Sequence, residues 1–241
     1  MTGSILNPSG PTLSPAPELK GGTGAFLPGA QGEPVRAAFA VYPDRWKRGM
    51  DLVLSALFLA LFWPCMALIG LLVKIEDGGP VFFVQTRVGV YGREFPMTKF
   101  RSMRCDAERE LPRVLSRNRH RDALTFKAVN DPRVTRVGRW LRRFSLDELP
   151  QLLDVFRGDM SLVGPRPSLP SEVARYSPAD CQRLQVPQGM TGLWQVSGRS
   201  EIPFAGQVAL DLQYARTRTL RGDLWILLKT IPAVISGRGA C

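Results

Sequence analysis

Two adjacent carboxylates, Asp147 and Glu148, are the residues of this sequence whose types and spacing most suggest chemistry. They lie in "RRFSLDELPQLLDVFRGDMSLVGPRP", residues 142–167, directly after a stretch rich in arginine. A carboxylate can attack phosphorus and form an acyl phosphate, which divides one difficult transfer into two steps. A second acid beside it can hold Mg²⁺, which prefers one or two carboxylates together with substrate phosphates and water. Paired acids among arginines therefore suit a reaction on a phosphorylated substrate.

A structural interpretation of the same acids stays open. Ser145 followed by Glu148 matches a capping box, and acids stabilise the positive end of a helix. Alternatively, Pro150 takes the first helical position, and the helix runs from Gln151 to Arg157 with Gly158 as its C-terminal cap. Either start leaves both carboxylates at a helix N-terminus, so position alone does not separate a scaffold from a catalytic pair.

Basic residues would have to neutralise an anionic substrate, and the chain is rich in them. Its 32 lysines and arginines against 21 acids give a net charge of +11. This balance indicates an anionic partner: nucleic acid, an acidic membrane surface or a phosphorylated substrate. We expect neighbouring arginines to keep both acids ionised near neutral pH, with coupled titrations. Five arginines before the acids are spaced so that they would lie close together on a helix: Arg133, Arg136, Arg139, Arg142 and Arg143.

Several familiar sites are excluded by composition and motif. The four cysteines are scattered and His120 is the one histidine, which argues against a Cys/His zinc site. The sequence has no GxxxxGK[ST], GxGxxG, GxSxG, HExxH or DxD pattern. It also contains no recognisable helix-turn-helix, zinc finger or aromatic RNA-binding module, so we predict no nucleic-acid partner.

An apolar run sets how the acids are positioned relative to a membrane. Leu52 to Val73 is 22 residues without a charge, long enough to span a bilayer at about 1.5 Å per helical residue. Pro64 removes a backbone donor near its middle. Basic residues flank both ends, which favours a cytoplasmic location for both; they are Arg45, Lys47 and Arg48 before the run and Lys74, Arg87 and Arg93 after it. A re-entrant helix-break-helix that dips into one leaflet satisfies both observations, although an ordinary kinked transmembrane helix remains an alternative.

The remaining elements predict an α+β protein. Residues 1–43 are rich in Pro, Gly, Ser and Ala and indicate a disordered tail without a secretory signal. "PVFFVQTRVGVYGREFPMTKFRSM" predicts a small β-hairpin around Gly89 and Gly92, and the charged segment from Ala107 to Asn130 has a helical composition. "RTRTLRGDLWILLKTIPAVI" suits an interfacial amphipathic helix, or a helix packed on the core with a basic outer face. We therefore expect a tail (1–43), a re-entrant membrane helix (44–76) and a mainly helical cytoplasmic catalytic domain (77–241).

Four motifs resemble one known family. They are "KFRSM" (99–103), "DPRVTRVGRWLRRFSLDELPQLLDVFRGDMSLVGPRP" (131–167), "GMTGLWQVSGRS" (189–200) and "DLQYARTRTLRGDLWILLKTIPAV" (211–234). They are similar to the bacterial sugar transferases, the monotopic polyprenyl-phosphate glycosyl-1-phosphate transferases, and nearest to the members that begin exopolysaccharide repeat units. The resemblance extends from about Arg45 to Ala240.

The resemblance implies a reaction and its partners. A UDP-sugar would donate its sugar 1-phosphate, with galactose expected first and glucose second, to undecaprenyl phosphate, and UMP would be released. It implies a Mg²⁺-dependent route in two steps through a phosphosugar bound to the first acid, as the first membrane step of exopolysaccharide synthesis. Membrane lipids and other polysaccharide-assembly enzymes are further expected partners. The expected location is the cytoplasmic face of the bacterial inner membrane.

Site residues follow from matching these motifs position by position. Asp147 becomes the nucleophile and Glu148 its neighbour in binding Mg²⁺, with both acids counted as metal ligands. The other residues that the resemblance implies are the phosphate contacts Lys99, Arg166 and Arg199, the further site candidate Asp211, and Pro64 as the break in the re-entrant helix. Two non-enzymatic alternatives also use the basic surface: a membrane scaffold of the polysaccharide machinery, and a nucleic-acid-binding protein. An intact acid pair argues against the scaffold, and the apolar run argues against nucleic-acid binding.

Overall fold

The computed structural model describes residues 44–107, 109–110 and 131–237. The predicted tail, and most of the helix predicted for Ala107 to Asn130, lie outside these residues. The helices are α1 (Asp44–Asp77), α2 (Arg136–Arg143), α3 (Gln151–Arg157), α4 (Pro170–Val173), α5 (Pro178–Cys181), α6 (Leu193–Ser197), α7 (Phe204–Thr217) and α8 (Leu220–Ser236). The strands are β1 (Phe82–Val88), β2 (Glu94–Phe100), β3 (Ser161–Val163) and β4 (Gly189–Thr191). Helices with two small sheets confirm the α+β class.

Helix α1 is the apolar element that the sequence indicated. Within the described residues, Arg45–Asp77 is the stretch long and apolar enough to cross a membrane, with a mean hydropathy of 2.4 in its most apolar part. The helix continues through Pro64 without interruption, so it is one helix and not two separated by a break. A proline removes a single backbone donor, and the bonded turns on either side keep the helix together.

The two flanks of α1 pack on the rest of the protein, whereas its middle does not. Leu54 and Phe58 pack against the main hydrophobic core, and Ile69 and Val73 belong to a second buried cluster. Between them, residues 60–65 are all exposed. Six consecutive residues cover more than one full turn of a helix, so among the described residues this part of α1 is exposed on every side.

Buried polar contacts fix the beginning of α1. Lys47 Nζ lies 2.7 Å from Asp223 Oδ2 in α8, and both side chains are almost completely buried. Tyr214 Oη donates to the other Asp223 oxygen at 2.9 Å. One turn further along α1, Asp51 accepts the backbone N–H of Leu162 in β3 at 3.1 Å. The start of the apolar helix is therefore bonded to two elements of the core, α8 and β3.

The end of α1 caps the helix that leads to the acid pair. Glu76 accepts the backbone N–H groups of Arg136 at 2.7 Å and of Val137 at 3.2 Å. These are donors that the first turn of α2 cannot satisfy internally, and an acid is favourable at that end of a helix. Asp77 pairs with Arg101 just after β2. Both ends of α1 are thus attached to the same domain.

The predicted β-hairpin is confirmed. Strands β1 and β2 are antiparallel, with Phe82 opposite Phe100 and Val88 opposite Glu94. Residues directly opposite each other in an antiparallel pair share a face of the sheet. One face therefore carries Phe83 with Lys99, Gln85 with Met97, and Arg87 with Phe95. This face contributes basic side chains to the candidate site.

The close backbone contact between the paired strands β3 and β4 positions the loop that follows β3. The strands are parallel, with Ser161 opposite Gly189. A Cβ atom on Gly164 would collide with the carbonyl oxygen of Pro187, and one on Gly189 would collide with the backbone nitrogen of Gly164. Glycine is required at both positions because backbone approaches backbone there. These backbone contacts therefore fix the direction in which the loop 164–167 leaves β3.

Helix α8 has the amphipathic pattern that the sequence predicted. Asp223 and Ile226 are buried on one side. The apolar residues Leu224, Leu228, Ile231 and Ile235 are exposed by 48–69%, and their spacing of three or four places them along one stripe.

Candidate active site

The backbone before the acids turns sharply at one residue. Ser145 follows α2 with a left-handed conformation (φ 54°), and its side chain makes no capping bond to the short 3₁₀ turn Leu146–Glu148. The predicted capping box is therefore wrong, because a left-handed Ser145 lacks the extended backbone that an N-cap needs. The alternative is confirmed: α3 runs from Gln151 to Arg157 and ends at Gly158, which is left-handed (φ 98°).

Glu148 is held by two cations from different parts of the chain. Lys99 Nζ in β2 lies 3.0 Å from Glu148 Oε1, and Arg166 Nη2 lies 2.8 Å from the same oxygen. Burial by itself would raise the pKa of Glu148, but Arg166 and Lys99 outweigh it and hold this pKa well below its usual range. Glu148 is consequently ionised at every pH at which the protein would work.

Asp147 lies in different surroundings although it is the next residue. Its side chain is only 9% exposed, and within the described residues no group donates a hydrogen bond to it. Burial raises the pKa of Asp147, and the charge of Glu148 raises it further, while Lys99, Arg142 and Arg166 act in the opposite direction. The arginines thus favour ionisation of Asp147, as expected from the sequence, but burial and Glu148 outweigh them, and the net shift of the pKa is upward.

Lys99 and Arg166 occupy the positions that the resemblance implied, beside the acids. Lys99 is half-buried, and burial lowers its pKa even though Glu148 opposes the shift. Arg166 belongs to the loop 164–167, which the close crossing of β3 and β4 orients. Lys99 is not a solvated lysine at a strand end, because its ammonium group is bonded to Glu148 inside the site.

Arg87 was missed as a site residue from sequence, where it counted only as a flanking charge of the apolar run. Its Nη1 donates to the carbonyl oxygen of Pro167 at 3.2 Å, and its Nη2 donates to Gln85 Oε1 at 2.6 Å. Burial lowers the pKa of Arg87 to about 10, and the nearby charge of Arg166 contributes to the same shift. The pairing of β1 with β2 could have revealed it, because that register puts Arg87 on the face that carries Lys99.

Arg199 lies at the edge of the same site. Its backbone has a positive φ of 53°, and its Nη2 donates to Ser145 Oγ at 3.1 Å. Ser145 is the residue whose left-handed turn precedes the acids. Arg199 therefore contacts the turn that presents Asp147 and Glu148.

The arginine series before the acids divides into two environments. Helix α2 contains Arg136, Arg139, Arg142 and Arg143. Arg133 lies outside this helix and makes a buried ion pair of 2.6 Å with Asp131, so the prediction that all five share a helix is wrong for this residue. Arg142 Nε donates to Ser102 Oγ at 2.8 Å. Ser102 is the serine of the "KFRSM" motif that begins at Lys99.

Asp211 lies in a second buried cluster. Its carboxylate pairs with Arg183, and both side chains are almost fully buried. Arg183 Nη1 also contacts Tyr176 Oη at 3.2 Å, and that hydroxyl is 2.6 Å from Ser168 Oγ. Within the described residues no direct bond joins Asp211 to either acid of the pair. The cluster instead supports the segment that follows the Arg166 loop.

The acid pair suits Mg²⁺ when substrate phosphates and water supply the rest of the ion's coordination. Within the described residues, no group of three or more His, Cys, Asp and Glu side chains converges on a metal position. Two carboxylates are nevertheless enough for Mg²⁺ when phosphates and water complete its coordination. Asp147 accepts no hydrogen bond there, and both cations contact Oε1 of Glu148, so the Oε2 atom is the one to turn toward a metal.

Comparison with known proteins identifies the family. Residues 42–237 match the family model described as bacterial sugar transferase. The exopolysaccharide production protein ExoY of Rhizobium meliloti is 45% identical over 199 residues, which cover 80% of this chain and 87% of that protein. The undecaprenyl-phosphate galactose phosphotransferase of Salmonella typhimurium is 43% identical over 80% of this chain and 41% of its own length. The UDP-glucose:undecaprenyl-phosphate glucose-1-phosphate transferase of Caulobacter vibrioides is 42% identical over 80% and 71%, respectively. The chain belongs to the bacterial sugar transferase family.

Proposed function

We propose that this protein transfers a hexose 1-phosphate from a UDP-sugar to undecaprenyl phosphate, releases UMP, and so begins an exopolysaccharide repeat unit. The names of the Salmonella and Caulobacter relatives support the lipid acceptor, and the name of the Rhizobium relative supports the polysaccharide product. The observation that carries the proposal is the acid pair. Asp147 is buried and accepts no hydrogen bond from the described residues, whereas Glu148 beside it is held by Lys99 and Arg166.

The first step is attack by Asp147 on the donor. A carboxylate oxygen of Asp147 forms a bond to the β-phosphorus of the UDP-sugar, and the bond from that phosphorus to the bridging oxygen breaks. The bridging oxygen leaves with the α-phosphate as UMP, and the sugar phosphate remains on Asp147 as an acyl phosphate. An oxygen that is not already an acceptor of hydrogen bonds is the better nucleophile, because it need not first lose a donor.

Charge neutralisation is what the neighbouring residues contribute. An anionic nucleophile must approach an anionic diphosphate, so preorganised cations reduce the repulsion. Arg166 and Lys99 are already oriented toward this position by Glu148. Glu148, whose low pKa keeps it ionised, and Asp147 are the residues that would hold Mg²⁺, and the ion would supply further neutralisation of phosphate charge.

The second step returns Asp147 to its initial state. A phosphate oxygen of undecaprenyl phosphate attacks the phosphorus of the intermediate, and the bond to the Asp147 oxygen breaks. The product is a lipid diphosphate sugar, and the carboxylate is free for another cycle. For the sugar we propose galactose first and glucose second, since the names of the relatives include both.

The same domain contacts both ends of α1, which supports a re-entrant course in which the continuous helix bends at Pro64, since a proline inside a helix kinks it. Lys47 near its start is bonded to Asp223, and Glu76 at its end caps α2. Residues 60–65, between the two flanks, are exposed on every side, as they would be if they entered the lipid. A re-entrant helix leaves both ends and the catalytic domain on one side of the membrane, which we propose to be the cytoplasmic face. Soluble donor and lipid acceptor then meet at one interface.

The test is intact-protein mass spectrometry after incubation with Mg²⁺ and UDP-galactose, UDP-glucose or another UDP-sugar, without lipid acceptor. We expect the wild type to gain the mass of one hexose phosphate and to release UMP, and Asp147→Asn to do neither. The donor that gives the adduct identifies the sugar. Lipid-dependent UMP release without any adduct would instead favour direct transfer, and no UMP release in either assay would favour the scaffold.

A further inference from the structure

Arg87 is a cation whose hydrogen-bond acceptors are all neutral. Two of its nitrogens contact the carbonyl oxygen of Pro167 and the amide oxygen of Gln85. Its third nitrogen, Nε, is buried and makes no hydrogen bond. Among the described residues, no carboxylate lies within salt-bridge distance of it. Its charge is therefore neither solvated as a surface arginine would be nor neutralised by an acid.

Three more deeply buried arginines of the described residues are neutralised by an acid. The pairs are Arg101 with Asp77, Arg133 with Asp131, and Arg183 with Asp211. In the candidate active site, Arg166 and Lys99 share Glu148. A buried charge without a partner is costly in a folded protein. Arg87 thus differs from these arginines.

The surroundings of Arg87 increase this cost. The charge of Arg166 is close enough to lower the pKa of Arg87, in addition to burial, while Glu172, Glu148 and Tyr176 act more weakly in the opposite direction. The two guanidinium groups are therefore close enough to repel each other, and the Glu148 carboxylate that Arg166 binds is shared with Lys99. Such an arrangement is favourable once an anion lies between the guanidinium groups, because each can then donate to its oxygens.

We propose that Arg87 and Arg166 together bind a phosphate group of the substrate, so that Arg87 is a further substrate contact of this site. This inference rests on the proposed function and extends it by one residue. The ligand class is a phosphate ester or diphosphate oxygen, and it has two sources: the diphosphate of the nucleotide sugar and the phosphate of the lipid. The planar guanidinium suits either of them, and the test separates the two.

A purely positioning role for Arg87 makes different predictions. Its bond to Pro167 joins the hairpin to the loop that carries Arg166, so loss of Arg87 could act through that loop alone. In that case the protein without ligand would become less stable, and a lysine would not replace the arginine. A phosphate contact predicts that the unliganded protein is little affected, because removing Arg87 also removes its repulsion from Arg166.

The binding experiment uses the full-length protein in lipid nanodiscs and inorganic pyrophosphate with Mg²⁺ as the probe, measured by isothermal titration calorimetry. The variants are Arg87→Gln, Arg87→Lys and the matched control Arg93→Gln, since Arg93 is an exposed arginine in the turn of the same hairpin. We expect Arg87→Gln to bind about ten- to hundredfold more weakly, as loss of a charge-assisted hydrogen bond predicts. Arg87→Lys should recover part of the affinity, and Arg93→Gln should match the wild type.

The melting temperature without ligand completes this test. Affinity lost in Arg87→Gln at an unchanged melting temperature supports the phosphate contact. Undiminished pyrophosphate affinity in Arg87→Gln, or a wild type that does not bind pyrophosphate, would overturn it. Equal weakening in the glutamine and lysine variants together with a lowered melting temperature would also overturn it, in favour of the positioning role.

Two half-reactions identify the source of the phosphate. Adduct formation from the UDP-sugar without lipid reports on the donor, and transfer from preformed adduct to undecaprenyl phosphate reports on the acceptor. A raised half-saturating concentration in only one of them assigns the phosphate to that substrate. If the wild type releases no UMP from any UDP-sugar while pyrophosphate binding still depends on Arg87, the proposed function fails and the anion site stands.

Discussion

Asp147 and Glu148 are consecutive residues in opposite electrostatic environments. Glu148 accepts hydrogen bonds from Lys99 and Arg166 on one oxygen, and its pKa is held low. Asp147 is more deeply buried and its pKa is raised. Adjacent acids whose pKa values move apart have different tasks, which supports the division between a nucleophile and a metal-binding partner.

We predict that Glu148→Gln moves the acid limit of adduct formation to lower pH. In the proposed reaction ionised Asp147 is the reactive form, so adduct formation should be lost as the pH falls through its pKa. The negative charge of Glu148 raises that pKa, and its removal also leaves Lys99 and Arg166 without a partner next to Asp147. The pKa of Asp147 should therefore fall, and the plateau rate should also fall because a proposed metal ligand is lost. Single-turnover rates measured at several pH values check this, and an unchanged or higher limit contradicts it.

Gly164→Ala should impair both stability and activity. The new Cβ would collide with Pro187 O where β3 passes β4, and overpacking of this kind costs about 1–3 kcal/mol. The loop that carries Arg166 would move with the strand. Thermal unfolding and UMP release measure the two effects. Gly49→Ala is the control, because nothing lies within 4 Å of its added Cβ, and equal behaviour of the two variants would refute the close-approach argument.

Lys47→Met should lower the stability of the protein strongly. It leaves the Asp223 carboxylate buried without its cation, and breaking a buried pair on one side costs about 3–5 kcal/mol. The double variant Lys47→Met/Asp223→Asn should recover part of this loss because the uncompensated charge is gone. Denaturant unfolding in detergent micelles measures all three proteins. Arg45→Met serves as the comparison, since Arg45 is exposed on the same helix, and a similar cost there would argue against the buried pair.

A re-entrant α1 predicts that both of its ends are accessible from the same side of the membrane. Arg45→Cys and Ile75→Cys place a thiol near each end of the helix, at positions that are exposed, in an otherwise cysteine-free protein. A membrane-impermeant maleimide should label both in inverted vesicles and neither in intact cells. Labelling of one from each side would show that the helix crosses the membrane.

Local chemistry was enough to predict part of this structure. The hairpin follows from β-branched and aromatic residues on either side of Gly89 and Gly92, and the end of α3 follows from Gly158, which adopts the left-handed conformation that glycine allows. The apolar helix was equally clear from composition. Each of these features depends on residues that are close together in the chain.

Features that depend on distant residues were not predictable in the same way. The left-handed Ser145 looked like an N-cap, because its sequence pattern contains no information about the contact with Arg199. Arg87 looked like a membrane-flanking charge until the hairpin register and the Pro167 contact placed it beside Arg166. Asp211 is bonded to Arg183, a residue that no motif had distinguished. Such pairings arise only when the chain is folded.

Glu76 has a mechanical consequence for the reaction. It connects the last turn of the apolar helix to the first turn of α2, and α2 leads directly to the turn that carries Asp147. If α1 enters the lipid as we propose, this contact couples the depth of the helix in the membrane to the height of Asp147 above it. The phosphate of the proposed lipid acceptor would then have to reach that height, whatever the length of its chain.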